Sequence, residues 1–451
     1  MTQETQRHGT GLLAGGAPGF TPDALAELSR RTGDPTWVAE RRQAAWARFG
    51  QIPMPTRTDE SWRRTDLSAL DLQGYLPFAP APARAATVAD LPADLLTALD
   101  LGGPRGGLMV QHNSEPVYEA LDQTWSSKGV IFTSLERAVR EHSDLVARHF
   151  GTAVPADYWK FSALNEAFWS GGVFLYVPRN VVVDVPLVSW LWAGEPNLAT
   201  VGRVLIVAEE GSQVFLVDQY ASPEGRGGGL HLGAVEILPG PGAQVTYLAL
   251  QEWGHDTWDL TAQRALGRRD STATLINAGF GGKVVRVNEE AILEEQGASA
   301  FLYGVYFPDG AQHLDFHTLQ DHRAPHTTSN LLFKGALRDQ AKAVYEGLVQ
   351  VRKEAKGTDA NQTNRNILLS RTSKADSLPM LQIETADIQR CSHGATVGQV
   401  DENQLFYLMA RGLPREEATE VLIEGFFQEV ADHIPEEAVR EHVRQVVARK
   451  L

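Results

Sequence analysis

The chain of 451 residues has a single cysteine, and it stands two positions from a histidine, in Cys391-Ser392-His393. Nearby Ile383, Thr385 and Ile388 favour a strand, on which positions i and i+2 share one face. The thiol and the imidazole are then neighbours, roughly 6–7 Å apart at the backbone. Such a pair can share a metal, or hold the thiol as thiolate when the imidazole is charged. The plain alternative is a small buried thiol beside a satisfied histidine. A second set of possible ligands lies in residues 312–326. His313, Asp315 and His317 alternate there, opposite Leu314 and Phe316, and His322 and His326 follow around a turn at Ala324-Pro325. Histidines with aspartates can bind zinc or iron. The spacing is not that of a zincin helix, because no glutamate adjoins these histidines and Pro325 disfavours helix. Here the alternative is a polar ladder on the outer face of stacked strands.

Composition narrows the chemistry. One cysteine excludes an internal disulfide and a four-thiolate site built within one chain. A net charge of −15, from 41 basic and 56 acidic residues, argues against a nucleic-acid binder. Gly279-Phe-Gly-Gly-Lys283 resembles a phosphate loop only superficially, since no Ser or Thr follows the lysine. No segment approaches the roughly 18 consecutive apolar residues of a membrane span. Residues 1–20 lack the apolar core of a signal peptide and read as a glycine-rich flexible tail, so a cytoplasmic protein is expected.

Three textures position these residues. Residues 21–155 read as an N-terminal helical region, with Thr21 and Asp34 as helix caps and a proline- and alanine-rich interruption at 77–92. Residues 156–400 read as strand after strand. A turn, a small residue and a β-branched or aromatic run recur at Gly211, Gly242, Asp270 and Gly297, starts 31, 28 and 27 residues apart, and less regularly near Asp339 and Lys374. A drifting period of this size fits stacked β coils, each burying its face against its neighbours. A β-sandwich or an antiparallel meander is the alternative. Residues 401–451 read as three short amphipathic helices, capped by Asp401, stopped at Gly412 and restarted at Pro414 and Pro435. Leu405, Phe406, Leu422, Phe426 and Phe427 are candidates there for contact with another subunit. Phe426 and Phe427 lie about 100° apart on a helix and do not both sit centrally on one face.

Several longer stretches carry a resemblance. They are Asp315-Phe-His-Thr-Leu-Gln-Asp-His322, Leu332-Phe-Lys-Gly-Ala-Leu337, Thr358-Asp-Ala-Asn-Gln-Thr-Asn-Arg-Asn-Ile-Leu-Leu-Ser370, Lys374-Ala-Asp-Ser-Leu-Pro379 and Cys391-Ser-His-Gly-Ala-Thr-Val-Gly398. Gln404-Leu-Phe-Tyr-Leu408 and, upstream, Glu60-Ser-Trp-Arg-Arg-Thr-Asp-Leu67 extend it. Together they resemble the SufB/SufD family of iron–sulfur cluster assembly proteins, and the Cys-Ser-His form resembles its SufD branch. That resemblance implies a mainly β chain, a right-handed parallel β-helix core flanked by N-terminal and C-terminal α-helical regions. It implies a non-enzymatic scaffold that works with SufB and the ATPase SufC. His393, with Cys391 beside it, would sit at the SufB interface and help hold a transient Fe–S cluster, and the helices of 401–451 would dock SufC. No cofactor is implied for the isolated chain, flavin is left open, and edge-to-edge pairing allows a homodimer of the isolated subunit. The SufB branch carries an essential cysteine upstream, and the matching stretch here, Asn364 to Ser370, has none. Two other classes stay in view: a purely structural partner, and a β-helix enzyme using Cys391 and His393.

Overall fold

A computed structural model describes residues 18–79, 84–92, 95–96, 103–225 and 227–451. Most of the expected tail at 1–20, and part of the expected interruption at 77–92, lie outside the described residues. One sheet runs, edge to edge, through β2 (Glu115–Leu121), β1 (Gly107–His112), β5 (Leu187–Trp192), β7 (Gln213–Ala221), β9 (Gln244–Glu252), β11 (Thr272–Gly279), β13 (Ser299–Tyr306), β15 (Thr328–Leu337), β17 (Thr358–Leu368) and β19 (Ile388–Gln399). The facing sheet runs through β3 (Ile131–Ser134), β4 (Gly172–Val177), β6 (Ala199–Ala208), β8 (Gly229–Pro239), β10 (Thr257–Gly267), β12 (Val284–Leu293), β14 (His313–His322), β16 (Lys342–Val351) and β18 (Lys374–Ile383). From β4 onward successive strands alternate between the sheets and pair in parallel. Among the described residues this makes a parallel β-solenoid of eight coils, β4/β5 to β18/β19.

The repeat seen in the sequence is the corner leading into the first sheet. Register partners Gln213, Gln244, Thr272, Ser299, Thr328, Asp359 and Arg390 follow one another at steps of 27 to 31 residues. Two residues before the first six of them stand Gly211, Gly242, Asp270, Gly297, His326 and Gly357, all with φ between 55° and 76°. A left-handed residue turns each corner, which glycine adopts without penalty and Asp or His adopts less readily. Position by position, the small residue that follows lies inside the corner. Ser212, Ser271 and Thr327 donate back to carbonyls three residues earlier, at 2.6, 2.8 and 3.1 Å. The two later starts, Asp339 and Lys374, belong to corners of the other sheet.

Both outer faces are covered, by different ends of the chain. Over the early coils of the second sheet, Leu25, Leu28, Phe161, Leu164 and Phe168 pack on Val201, Leu205, Leu232 and Leu260. On the first sheet, Ile423, Phe427, Val430, Val439 and Val443 of the helices Arg415–Ala431 and Glu437–Lys450 pack on Tyr303, Val305, Phe307, Leu332 and Ala336. The expectation of an all-helical 21–155 is corrected. That region also holds β1, β2 and β3, a hairpin and an antiparallel strand that close the first-coil end of both sheets. Leu108, Met109 and Val110 are buried on both faces, so this strand shows a continuous apolar run in place of alternation.

A buried ion pair fastens the N-terminal part to the solenoid. Glu236, on β8, accepts the backbone N–H groups of Gly151, Ala153 and Val154 at 2.9, 2.8 and 3.1 Å. It also accepts Arg203 Nε and Nη2 at 2.9 and 2.7 Å. Arg203 in turn donates to Val154 O and Asn165 Oδ1 and lies over the Phe150 ring. Breaking such a pair leaves a buried charge without a partner. Arg203→Met is expected to destabilise the chain by about 3–5 kcal/mol in urea unfolding at neutral pH; a loss under about 1 kcal/mol would show that the segment is held by its apolar contacts alone.

Candidate functional site

The last coil is unlike the others. β18 and β19 each pair with one neighbour, β16 and β17, and their other edges are open. Their side chains are largely exposed, including the large apolar Met380, Ile383 and Val397. Cys391 and His393 stand on β19 in register with Ala360 and Gln362 of β17. Ala360 and Gln362 are fully buried on the inward face, so the thiol and imidazole share that face, at the mouth of the solenoid. The shared strand face expected from the spacing is observed. Cys391 is half-buried against Val349, Val351, Ala355 and Ala360, whereas His393 is exposed. Burial pushes the Cys391 thiol upward, the opposite of what an activated nucleophile needs.

The histidines of residues 313–326 do not form a metal cage. Among the described residues no three His, Cys, Asp or Glu side chains converge as a metal site. His313, Asp315 and His317 do share the outer face of β14, as their alternation implies. Their work there is to hold the N-terminal segment. Thr65 bridges His313 Nε2 at 2.8 Å and the Asp315 carboxylate. Arg286 reaches Asp315 at 3.0 Å and Ser61 O at 2.6 Å, over the Trp62 ring, and His317 Nε2 lies 2.9 Å from Asp315. Burial alone would raise the Asp315 carboxyl, but Arg286 and then His317 outweigh it and hold it well below the usual carboxylate range. His322 points the other way, into the solenoid, between Thr327 and Ser329 at 2.8 and 2.7 Å. Burial pushes it down to about 4, so it is neutral at pH 7. His326 is one of the left-handed corners. Two stretches 250 residues apart in sequence, Glu60–Leu67 and Asp315–His322, thus meet in one polar contact.

In the C-terminal helices the five candidate contacts divide. Phe406 is 71% exposed, Leu422 and Phe426 are half-buried, and Leu405 and Phe427 are 2% and 4% exposed. The expectation that Leu405 and Phe427 offer surface is therefore corrected. Phe427 fills the seam against Phe307, and the Phe426 carbonyl accepts buried Lys334 Nζ at 2.8 Å. The sequence reading missed Tyr407, Met409 and Val421, at 56%, 40% and 47% exposed. The signal was helical periodicity: on the helix Glu402–Met409, Tyr407 lies about 200° from buried Leu405.

Comparison with known proteins agrees with this architecture. Residues 191–426 match the family model described as SUF system FeS cluster assembly, SufBD core domain, and residues 106–188 match that of the SufBD protein N-terminal region. An iron-sulfur cluster assembly SufBD family protein of Staphylococcus saprophyticus is 32% identical over 427 residues, 93% of this chain and 90% of the relative. Proteins of the same description from Staphylococcus epidermidis and Staphylococcus aureus are 31% and 30% identical over the same lengths. The chain belongs to the SufBD family. As in the resemblance read from its motifs, this SufBD core is a parallel β-solenoid between terminal helices. Among its described residues no helix is long and apolar enough to cross a membrane.

Two outcomes follow. Asp315→Asn is expected to cost about 3–5 kcal/mol at pH 7, because Arg286 loses its buried partner. A depressed folded value means this stability is full above the unfolded pKa and fades as pH falls through the folded one, so the gap between the two proteins should narrow in acid unfolding series. Cys391 is expected to alkylate more slowly at pH 7 than an unhindered cysteine in a peptide, and a faster rate would overturn the reading of a raised thiol.

Proposed function

We propose that this chain is the SufD-type subunit of a cytoplasmic scaffold that builds and hands on nascent Fe–S clusters, working with SufB and the ATPase SufC and performing no catalysis itself. The observation that supports it is the open last coil. Unpaired strand edges are templates for another chain, and this one carries exposed Val397 on the same face of β19 as the thiol–imidazole pair, with Met380 and Ile383 exposed on the neighbouring β18. One thiolate and one imidazole are too few for the iron sites of a cluster, so ligands must be pooled across an interface. SufB supplies the rest in this reading, with His393 as a ligand or as the group that positions one. The cluster is the cargo of the complex and no resident cofactor of the chain. In the absence of SufB, a second copy taking the open edge would give a homodimer of the isolated subunit. The raised Cys391 thiol counts against the thiol-enzyme alternative.

SufC docks, in this reading, on the exposed side of the C-terminal helices, at Phe406, Tyr407, Met409 and Val421, with half-buried Leu422 at the margin. Their inner side is already committed to the first sheet.

Reconstitution with SufB and SufC, followed by iron and sulfide analysis, tests the first part. His393→Ala is expected to lower cluster yield severalfold while the three subunits still copurify; unchanged yield would reject a role for His393. Phe406→Asp with Tyr407→Asp is expected to abolish copurification with SufC and leave that with SufB intact. Retained SufC binding would reject the docking face. These substitutions are cleaner than removing 401–451, which would strip the cover from Phe307 and Leu332.

A further inference from the structure

The solenoid interior is partly polar along its length. Tyr247 Oη donates to Asp218 at 3.0 Å, and Tyr220 Oη donates to the same carboxylate. Two coils beyond Asp218, Trp253 Nε1 and Thr261 Oγ1 donate to Asp259 at 2.9 and 2.6 Å. Next, Gln263 and Asn277 exchange amide hydrogen bonds at 3.0 Å, and Asn277 Nδ2 donates to Glu289 Oε2 at 2.5 Å. Then the hydroxyls of Thr318 and Tyr345 meet at 3.0 Å. At the open end Ser377 Oγ donates to Asn364 Oδ1 at 2.7 Å, and Asn364 is tied to Tyr306 and Asn366. Thr318 is the register partner of Glu289, and Ser377 that of Tyr345.

Two cavities lie along this line. One of about 20 Å³ is lined by Tyr220, Asp259, Thr261, Gln263 and Asn277, joining the Asp259 group to the Glu289 group. One of about 10 Å³ is lined by Gln111, Ser170, Asp218, Tyr220 and His231. A water needs roughly 10–15 Å³ and two to four polar partners, and both cavities approach or meet that requirement.

Glu289 is the unusual member. It is fully buried, its Oε1 has no hydrogen-bond partner, and among the described residues no basic side chain pairs with it. The titratable groups on neighbouring inner rows are Asp259, Tyr306, His322 and Tyr345, and His322 is neutral at pH 7. A wholly buried carboxylate without a cation costs several kcal/mol, so the group keeps its proton instead. Burial pushes the Glu289 carboxyl well above its ordinary range, against the one lowering contact from Asn277.

We propose that the interior is a hydrated proton path, in which waters in the two cavities serve the buried acids and the hydroxyls of Thr318, Tyr345 and Ser377 link the neutral carboxyl of Glu289 to the open end that carries His393. Hydroxyls and waters accept one proton and release another. The amides of Gln263, Asn277 and Asn364 orient these links without relaying. The step is an exchange: Glu289 releases one proton toward a base at the mouth, the His393 imidazole or bulk water, and takes back another along the same links, so the carboxyl stays neutral and no electron moves. The existence of the path is independent of the cluster-building reading, and its use in proton transfer at a nascent cluster rests on it.

Infrared spectroscopy of the isolated full-length chain at pH 7.5 is the test, so failure of the SufB and SufC reading leaves it untouched. A carboxylic-acid C=O band is expected, absent in Glu289→Gln. In D2O it should shift faster than the amides of the core strands exchange. Tyr345→Phe should slow that shift about tenfold, the kinetic weight of roughly one hydrogen bond. Thr318→Val serves the same purpose should Tyr345→Phe fail to fold. The proposal is overturned by a missing band, by a band that survives Glu289→Gln, by a shift that waits for global unfolding, or by a rate that neither relay substitution alters.

Discussion

A stack of parallel strands has to end, and the way each end is treated organises this molecule. Every coil satisfies its backbone N–H and C=O groups on the coils before and after it, and an unpaired buried peptide group is costly. The first coil is capped on one sheet by the β1–β2 hairpin, whose β1 joins β5 in parallel, and on the other by β3, which joins β4 antiparallel. The last coil has no such closure. Its two edges, twelve and ten residues long, are long enough to pair with another chain; β19 has no proline, and its one irregularity, the extra Gln389 between Ile388 and Arg390, lies at its start. β18 does include Pro379, whose missing N–H removes one ladder donor. An asymmetric pairing in which β19 contributes more than β18 follows naturally from that difference.

The two terminal regions answer a different need, that of covering sheet faces. Apolar residues pointing outward, such as Leu205 and Leu232 on one sheet and Val305 and Leu332 on the other, require a second layer. The N-terminal helices supply it to the early coils and the C-terminal helices to the later ones. Polar contacts set where each cover sits: Arg203 with Glu236, Thr65 with Asp315, and Lys334 with the Phe426 carbonyl. Buried pairs of this kind are weak sources of net stability but strong penalties when half-removed, which suits them to fixing register. The C-terminal helices thus have one face bound to their own chain and another free.

The coil period was legible in the sequence because each corner into the first sheet needs a left-handed residue followed by a small one, and both leave a visible mark. The shared face of Cys391 and His393 was legible from spacing alone. Other features were not. The strand Gly107–His112 is apolar on both faces and shows no alternation, so it hid within a region of helical texture. The histidines of 313–326 looked like one cluster in sequence, yet parity divides them: His313 and His317 point out, His322 points in, and His326 turns a corner. Only the position of Thr65, 250 residues away, reveals what the outward pair does. The helical candidates divided for the same reason, since adjacent positions such as Phe426 and Phe427 take different surroundings once a sheet lies beneath them.

The polar interior bears on why such a protein is not simply packed with aliphatic residues. Inward positions near the first coils, among them Val235, Ile237 and Leu275, are apolar and fully buried. Toward the last coil the motif Asn361-Gln-Thr-Asn-Arg-Asn366 instead places amides inward, of which Asn364 and Asn366 are hydrogen-bonded to each other and to Tyr306. Buried amides stabilise a structure only when every donor and acceptor is met, so they tolerate fewer alternative packings than aliphatic chains do. Asn364, held by Ser377 from the facing sheet and by Tyr306 from its own, ties the two sheets together one coil before the edge. The open edge that carries Cys391 and His393 has no further coil to hold it, and this cross-sheet knot braces it from behind.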